Sequence, residues 1–199
     1  MEHYFIDNEN LKSEIRTISF KYDDSSFSFL SDNGIFSKNK IDDASYLLVD
    51  TFLKNRKVNN LKMLDVGCGY GFIGITISKI TNSYVDMIDI NKRAIHLCEE
   101  NIKLNKVNCK CFYSDTYENI NDKYDYIITN PPIRVGKSKL LSLLNEAKSY
   151  LKDDGELWFV INKNQGAKSI KKELESTYNI ECTNKSKGFY IFTSKVIDK

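Results

Sequence analysis

Apolar and polar positions along the chain form two alternating patterns, one typical of strands and one typical of helices. Short apolar runs, each bounded by polar residues, predict buried strands at residues 62–66, 84–89, 108–113, 124–129 and 156–161. Between these runs, apolar residues recur at the spacing of a helix face. Strands that alternate with helices predict an α/β fold with a largely parallel sheet, and two closing strands near residues 178–183 and 189–193 predict an antiparallel end.

The helix predicted at residues 92–104 divides into an apolar and a polar face. Its apolar face comprises Ala94, Ile95, Leu97, Cys98, Ile102 and Leu104. Asn101 falls on the same face, so we expect a buried amide that is hydrogen-bonded to backbone rather than to a ligand. His96 falls on the polar face, in solvent, and is not expected to act in catalysis.

The N-terminal part of the chain predicts a smaller unit. Apolar residues alternate on both sides of a polar turn at residues 22–26, which is typical of a β-hairpin over residues 14–30. A loop follows, and a helix is expected to begin at Asp42-Asp43. We therefore expect residues 1–40 to form a hairpin and loop extension that packs on a main domain of residues 41–199. In that loop, Phe36 either packs into the core or lines a ligand pocket.

Composition narrows the class of protein without naming a function. A chain of 199 residues, of which 41% are hydrophobic, supports one sizeable folded domain. The formal net charge of +2 neither requires nor excludes a nucleic-acid partner. Five cysteines without a C-x-x-C pair indicate reduced, structural thiols in a cytoplasmic protein, and we expect no metal site. A polar N-terminus and the lack of a long apolar run predict neither a signal peptide nor a membrane span.

The most informative stretch is a glycine-rich turn after the strand predicted at residues 62–66. Gly67, Gly69 and Gly71 lie between this strand and an apolar-periodic helix. Glycine allows tight backbone angles and the close approach of a ligand. The free N–H groups at a helix start favour an anionic group. Strand, turn and helix start together predict a pocket for a nucleotide-like ligand.

Two acidic residues stand at the ends of the next two strands, at the same edge of the predicted sheet. Asp89 lies about 20 residues past the glycine turn, where a carboxylate accepts hydrogen bonds from ribose hydroxyls. Asp115 is placed to accept a hydrogen bond from an adenine amino group. The alternative is that these carboxylates, with Asn91, only cap the segments that follow. We favour the ligand roles because cofactors bind at the carboxyl edge of an open α/β sheet.

A second informative stretch, Asn130-Pro131-Pro132, ends the strand predicted at residues 124–129. The prolines stiffen the backbone and remove two N–H donors. The side-chain oxygen of Asn130 and the carbonyl of Pro131 can then each accept one hydrogen from a planar –NH₂ group. The alternative is a proline turn that merely ends the strand. A basic cluster follows, which either contacts phosphates or forms a solvated rim, and comprises Arg134, Lys137 and Lys139.

These motifs resemble a known family. Residues 65–71, Asp89 and Asn130-Pro131-Pro132 are similar to the three marks of a class I S-adenosylmethionine-dependent methyltransferase. More narrowly, residues 31–37 and 130–137, with sequences SDNGIFS and NPPIRVGK, resemble a bacterial family of small-subunit ribosomal RNA guanine-N2 methyltransferases. The similarity runs from about residue 27 to residue 192 and is most specific at residues 130–137.

The resemblance implies a Rossmann-like, seven-stranded, mostly parallel sheet with helices on both faces, and S-adenosylmethionine as cofactor. The implied cofactor contacts are Asp65, Gly67, Cys68, Gly69, Gly71, Asp89, Asp115 and Asn130. The implied catalytic residues are Asn130 and Pro131, and the implied substrate-binding residues are Pro132, Ile133, Phe36, Arg134 and Lys137. Related patterns carry an aromatic ring where this chain has Ile133, so Phe36 is the candidate to stack on the target base. The implied partner is ribosomal RNA or the small ribosomal subunit.

Three other functions stay open from the sequence alone. Residues 69–74 also satisfy the G-x-G-x-x-G pattern of NAD-dependent dehydrogenases, although Asn-Pro-Pro has no role in that chemistry. A grip on a planar –NH₂ group suits adenine N6 or a protein glutamine amide as well as guanine N2. A non-catalytic cofactor-binding or RNA-binding module would bind S-adenosylmethionine without turnover.

Overall fold

A computed structural model describes residues 12–132 and 135–197 of the chain. It contains a seven-stranded sheet, whose strands are β3 (Lys62–Val66), β4 (Tyr84–Asp89), β5 (Cys109–Tyr113), β6 (Tyr124–Thr129), β7 (Leu151–Asn162), β8 (Tyr178–Ser186) and β9 (Phe189–Val196). Their order in the sheet is β5-β4-β3-β6-β7-β9-β8. β3 to β7 pair in parallel, whereas β9 pairs antiparallel with both β7 and β8. The predicted α/β class with an antiparallel end is confirmed.

Helices cover both faces of the sheet. The described α-helices are α1 (Asp43–Asn55), α2 (Phe72–Thr81), α3 (Lys92–Asn105), α4 (Lys137–Glu146) and α5 (Ala167–Leu174). Alternate residues of β7 face opposite layers, because successive side chains of a strand point to opposite sides. Trp158 packs in the layer of α1, α2 and α3, whereas Leu157 and Phe159 pack in the layer of α4 and α5. Trp158 is fully buried.

The N-terminal hairpin, β1 (Arg16–Tyr22) and β2 (Ser25–Ser31), packs on α3 through two buried amides. Asn101 accepts a hydrogen bond from Leu30 N at 2.6 Å and donates to Leu30 O at 2.9 Å. One helical turn later, Asn105 pairs in the same way with the backbone N and O of Ser28. Asn101 also donates to Tyr70 O at 2.8 Å, which ties the hairpin to the glycine turn. The predicted buried amide is therefore confirmed.

Replacing Asn101 by alanine is expected to lower the free energy of unfolding by about 2–4 kcal/mol, because the half-buried backbone groups of Leu30 and the buried carbonyl of Tyr70 lose their partner. Urea unfolding measures this loss. Leu104→Ala on the same helix is the matched control, since Leu104 is 48% exposed and its loss should change stability by less than about 0.5 kcal/mol. Equal losses for the two variants would contradict the assigned role of Asn101.

One local prediction is corrected by the structure. Leu104, expected on the apolar face of α3, is exposed, because the buried stripe runs from Asn101 to Asn105 one turn later. Further along the chain, α4 ends at Glu146 and continues as a 3₁₀ turn over Ala147–Tyr150. Residues 153–155 lie inside β7, where the register against β6 shifts between Tyr124 and Tyr126.

The order of the strands determines where a ligand can bind. The chain runs outward from β3 to β4 and β5, then returns to place β6 on the other side of β3. Between β3 and β6 the connections leave in opposite directions, which opens a crevice at the carboxyl ends of these strands. The glycine turn follows β3 and the Asn-Pro-Pro turn follows β6. Both predicted motifs therefore begin at this crevice, and Thr129 Oγ1 donates to Val66 O at 2.7 Å between their strand ends.

Candidate active site

A cavity of about 840 Å³ opens at the carboxyl edge of the sheet, above β3 and β6. Pockets for small ligands and cofactors fall in this size range. Among the predicted site residues, those that line the cavity are Phe36, Gly67, Cys68, Gly69, Asp89, Asp115, Asn130, Pro131 and Pro132. The glycine turn and the Asn-Pro-Pro turn thus face one shared space.

The glycine turn adopts a backbone that ordinary residues rarely accept. Gly67, Gly69 and Gly71 have φ values of +73°, +56° and +93°. The N–H groups of Gly67 and Cys68 both donate to Ile88 O, at 2.8 and 2.9 Å, which fixes the turn to the end of β4. A Cβ at Gly67 or Gly69 would meet no atom within 4 Å, so both positions border open space. Gly67 and Gly69 therefore present bare backbone to a ligand, whereas Gly71, also assigned to the cofactor from the sequence, does not line the cavity and faces Cys98 and Ile75.

Asp89 joins the glycine turn to the start of α3. Its Oδ2 accepts from Gly69 N at 2.8 Å, and its Oδ1 accepts from Asn91 N at 2.8 Å. Asn91 in turn caps α3 through Ala94 N. Burial raises the pKa of Asp89, while its backbone hydrogen bonds oppose that rise. Each oxygen keeps lone pairs for a further donor, so the carboxylate can hold the turn and bind a ligand at once.

Two residues assigned to the cofactor from the sequence differ in character. Cys68 lines the cavity, and burial raises the pKa of its thiol to about 12, so it stays neutral near physiological pH and is not a nucleophile. Asp65, in contrast, is 1% exposed and is absent from the cavity lining. The structure corrects its assignment as a direct contact. Asp65 lies beneath the turn, where its Oδ2 accepts from Gly74 N, in the first turn of α2, at 3.0 Å.

Asp65 should make folding stability depend on pH. Burial, together with the nearby charge of Asp89, raises the pKa of Asp65 to about 7. Between about pH 4 and pH 7 the unfolded chain has lost this proton while the folded chain retains it, so stability falls as pH rises through this window and the loss is complete above it. The free energy of unfolding is expected to fall by about 1.4 kcal/mol per pH unit within this window.

The variant Asp65→Asn isolates this contribution. Its amide oxygen can still accept from Gly74 N, and it carries no charge at any pH. Urea unfolding of both proteins at pH 5, 6, 7 and 8 should show the wild type losing stability relative to Asp65→Asn up to pH 7. Stability curves that stay parallel across this range would show that Asp65 is already ionised in the folded protein.

Asn130 stands at the end of β6 with its side-chain nitrogen occupied. Nδ2 donates to Asp42 Oδ2 at 3.0 Å and to Ser45 Oγ at 2.9 Å, both at the start of α1. Pro131 is buried and Pro132 half-buried, and both line the cavity. Since proline has no N–H, this turn offers the cavity oxygen acceptors rather than backbone donors.

The remaining predicted residues fall into three groups. Phe36 lines the cavity with 49% of its surface exposed, so the alternative of a core position is wrong. Lys137 does not line the cavity, because its ammonium contacts Ser169 Oγ at 2.7 Å and pairs with Glu173 on α5. Lys139, two residues on, does line it. Ile133 and Arg134 lie outside the described residues.

Sequence reasoning missed several residues of the cavity. The lining that it did not assign includes Asp42, Ser45, Asn91, Ser114, Asn162, Gln165 and Phe189. Asp42 carried a visible signal only as the opening residue of a helix, and its Oδ2 does cap α1 by accepting from Ser45 N at 2.8 Å. Its second contact, to Asn130, joins residues 88 positions apart and leaves no mark in the local sequence.

The described residues also bear on two other kinds of site. Within residues 12–132 and 135–197, no three His, Cys, Asp or Glu side chains lie together in a way that could hold a metal ion. No helix in the same part of the chain has the length and apolar character needed to cross a membrane.

Comparison with known proteins places the chain among methyltransferases. An uncharacterised protein of Bacillus subtilis, YbxB, is 39% identical over 98% of this chain and 99% of its own length. Ribosomal RNA small subunit methyltransferase C of Photobacterium profundum is 32% identical over 81% of this chain. The corresponding protein of Buchnera aphidicola is 35% identical over 65% of it. The chain spans only 48% and 39% of these two longer relatives.

A solved structure shows the same fold. A T. thermophilus 16S rRNA N2 methyltransferase, in complex with AdoMet and guanosine, matches 94% of this chain and 52% of its own with a TM-score of 0.83 and 22% identity. A family model described as methyltransferase small domain matches residues 26–193, a range that includes both turns of the cavity. The chain therefore belongs to the methyltransferase small domain family.

Proposed function

We propose that this protein transfers a methyl group from S-adenosylmethionine to the exocyclic N2 amine of a guanine in small-subunit ribosomal RNA. The observation that carries the proposal is the meeting of two turns in one cavity. The glycine turn after β3 suits a nucleoside-bearing cofactor, and the Asn-Pro-Pro turn after β6 suits a flat amine. Neighbouring strands place these two turns side by side.

The residues present fit S-adenosylmethionine. The open space at Gly67 and Gly69 leaves room for the amino-acid end of the cofactor against bare backbone. Asp89, at the end of β4, is the candidate for the ribose hydroxyls. Asp115 and the buried Ser114, after β5, lie one strand further along the same edge and are the candidates for the adenine. Asp65 supports this site from below, through Gly74, rather than touching the cofactor.

Asn130 and Pro131 hold the acceptor amine. The Asn130 side-chain oxygen and the Pro131 carbonyl each accept one N–H, so that the nitrogen lone pair faces away from both. When bound, S-adenosylmethionine supplies a methyl group on a positively charged sulfur, and this sulfur is a good leaving group without metal assistance. The contribution of the protein is then mainly the alignment of two reactants within one cavity. After transfer, the amine releases a proton to solvent.

Guanine in ribosomal RNA is the favoured acceptor because of the named relatives. Those at 32–35% identity are called ribosomal RNA small subunit methyltransferase C, and the solved structure named above contains guanosine. Phe36, exposed at the cavity, is the candidate to stack on the base after it has left its helix. Lys139, together with Arg134 outside the described residues, is the candidate to contact RNA phosphates.

The test compares ribosomal RNA from strains with and without this protein. Mass spectrometry of nucleosides from the small-subunit RNA should show one N2-methylguanosine missing in the deletion strain. Purified protein and tritiated S-adenosylmethionine should restore it on the small subunit or its RNA. Labelling of adenine N6 or of a protein glutamine instead would reject guanine as the acceptor. Tight cofactor binding without transfer to any acceptor would reject catalysis.

A further inference from the structure

The direction in which the Asn130 amide points is decided by the start of α1. An asparagine side chain has similar shape at its oxygen and its nitrogen, so packing alone does not choose between the two orientations. In this structure the hydrogen-bonding neighbours of the amide determine its orientation. Asp42 Oδ2 lies 3.0 Å from Asn130 Nδ2, and a carboxylate oxygen can only accept.

Ser45 reinforces the same orientation. Its hydroxyl donates to Asp42 Oδ2 at 3.1 Å, so the hydroxyl oxygen is left to accept from Asn130 Nδ2 at 2.9 Å. Both N–H bonds of the amide are thereby engaged on the side of α1. A flipped amide would place its oxygen against the carboxylate oxygen, which is repulsive, and would remove the Asn130 donor from both Asp42 Oδ2 and Ser45 Oγ.

We infer that Asp42 is a positioning residue, which together with Ser45 directs the side-chain oxygen of Asn130 toward the acceptor amine. This inference rests on the proposed methyl transfer, because an oxygen is useful there only when the acceptor carries N–H groups. Asp42 and Ser45 line the same cavity as Asn130. The arrangement links the first turn of α1 to the end of β6. It lets the Asn130 side chain bind N–H groups of the methyl acceptor in preference to carbonyl oxygens.

Three variants separate this role from simple helix capping. In Asp42→Ser, the shorter side chain can still cap α1 through Ser45 N, since serine is a good N-cap, but it does not reach Asn130. In Asp42→Asn, the amide oxygen can replace Oδ2 toward both Ser45 N and Asn130 Nδ2. In Ser45→Ala, one of the two acceptors is lost and the cap is kept.

Kinetics with small ribosomal subunits from the deletion strain are the first readout. We expect Asp42→Ser to lower kcat about 10- to 100-fold, with KM for S-adenosylmethionine within about threefold of the wild type. Asp42→Asn should retain kcat within about threefold, and Ser45→Ala should lie between them. A wild-type kcat for Asp42→Ser, or an Asp42→Asn as impaired as Asp42→Ser, would overturn the inference.

A second readout does not depend on activity. In ¹⁵N-resolved NMR of the protein without substrate, the two side-chain amide protons of Asn130 should be shifted and slow to exchange in the wild type and in Asp42→Asn, and should lose both properties in Asp42→Ser. Unchanged Asn130 resonances in Asp42→Ser would reject the positioning role. Absence of methyl transfer by the wild type would reject the proposed function instead, so the two failures are distinct.

Discussion

Replacing Asn130 by alanine is expected to lower methyl transfer about 1,000-fold or more, while the affinity for S-adenosylmethionine stays within a few-fold of the wild type. The variant removes the side-chain acceptor and leaves the Pro131 carbonyl alone to hold the amine. Loss of one preorganised group at a reacting centre costs about 100- to 1,000-fold, and loss of alignment between two reactants adds to it. Single-turnover rates and calorimetric titration of the cofactor measure the two quantities.

The split between rate and cofactor affinity serves as the internal control. Asp42 keeps its two hydrogen bonds from Ser45 in the Asn130→Ala variant, so the start of α1 should remain folded. A thermal unfolding curve close to that of the wild type would verify this. A variant with a near-normal transfer rate would remove Asn130 from the reaction, and a parallel loss of cofactor affinity would make it a cofactor contact only.

Much of the fold follows from local patterns. Buried strands and helix faces are determined by residues that are near one another in sequence. The parallel sheet and the buried amide of Asn101 could therefore be predicted. Leu104 shows the limit of this reasoning. Its helical position is apolar, yet the hairpin contacts α3 through Asn101 and Asn105, and the side chain of Leu104 lies to one side of the stripe that these two residues form and remains in solvent.

The candidate site divides in the same way. The glycines, Asp89 and Asn130 can be predicted from the sequence because turn geometry and strand ends constrain the residue type. Partners that come from distant segments cannot be predicted in this way. Lys137 is held by Glu173, 36 positions away, and Asn130 by Asp42, 88 positions away. Asp65 belongs to the motif in sequence, but the depth of β3 beneath the turn became visible only in three dimensions.

Replacing Gly71 by alanine is expected to lower the free energy of unfolding by about 2–5 kcal/mol. A residue with a side chain pays about 1–2 kcal/mol for a positive φ, which is +93° here. The added Cβ would also lie 2.7 Å from Cys98 Sγ and 2.8 Å from Ile75 Cδ1. Cys98 is fully buried against Met87, so overpacking should add about 1–3 kcal/mol.

Gly166→Ala is the matched control, because Gly166 also precedes a helix and has a φ of +83°, but a Cβ there would meet no atom within 4 Å. It should therefore lose only the 1–2 kcal/mol or so of backbone strain. Urea unfolding of both variants, at unchanged slope, gives the difference that is due to packing. An equal loss of stability in Gly71→Ala and Gly166→Ala would contradict this explanation. Glycine would then be required at position 71 for a reason other than the close approach of α2 to α3 behind the turn.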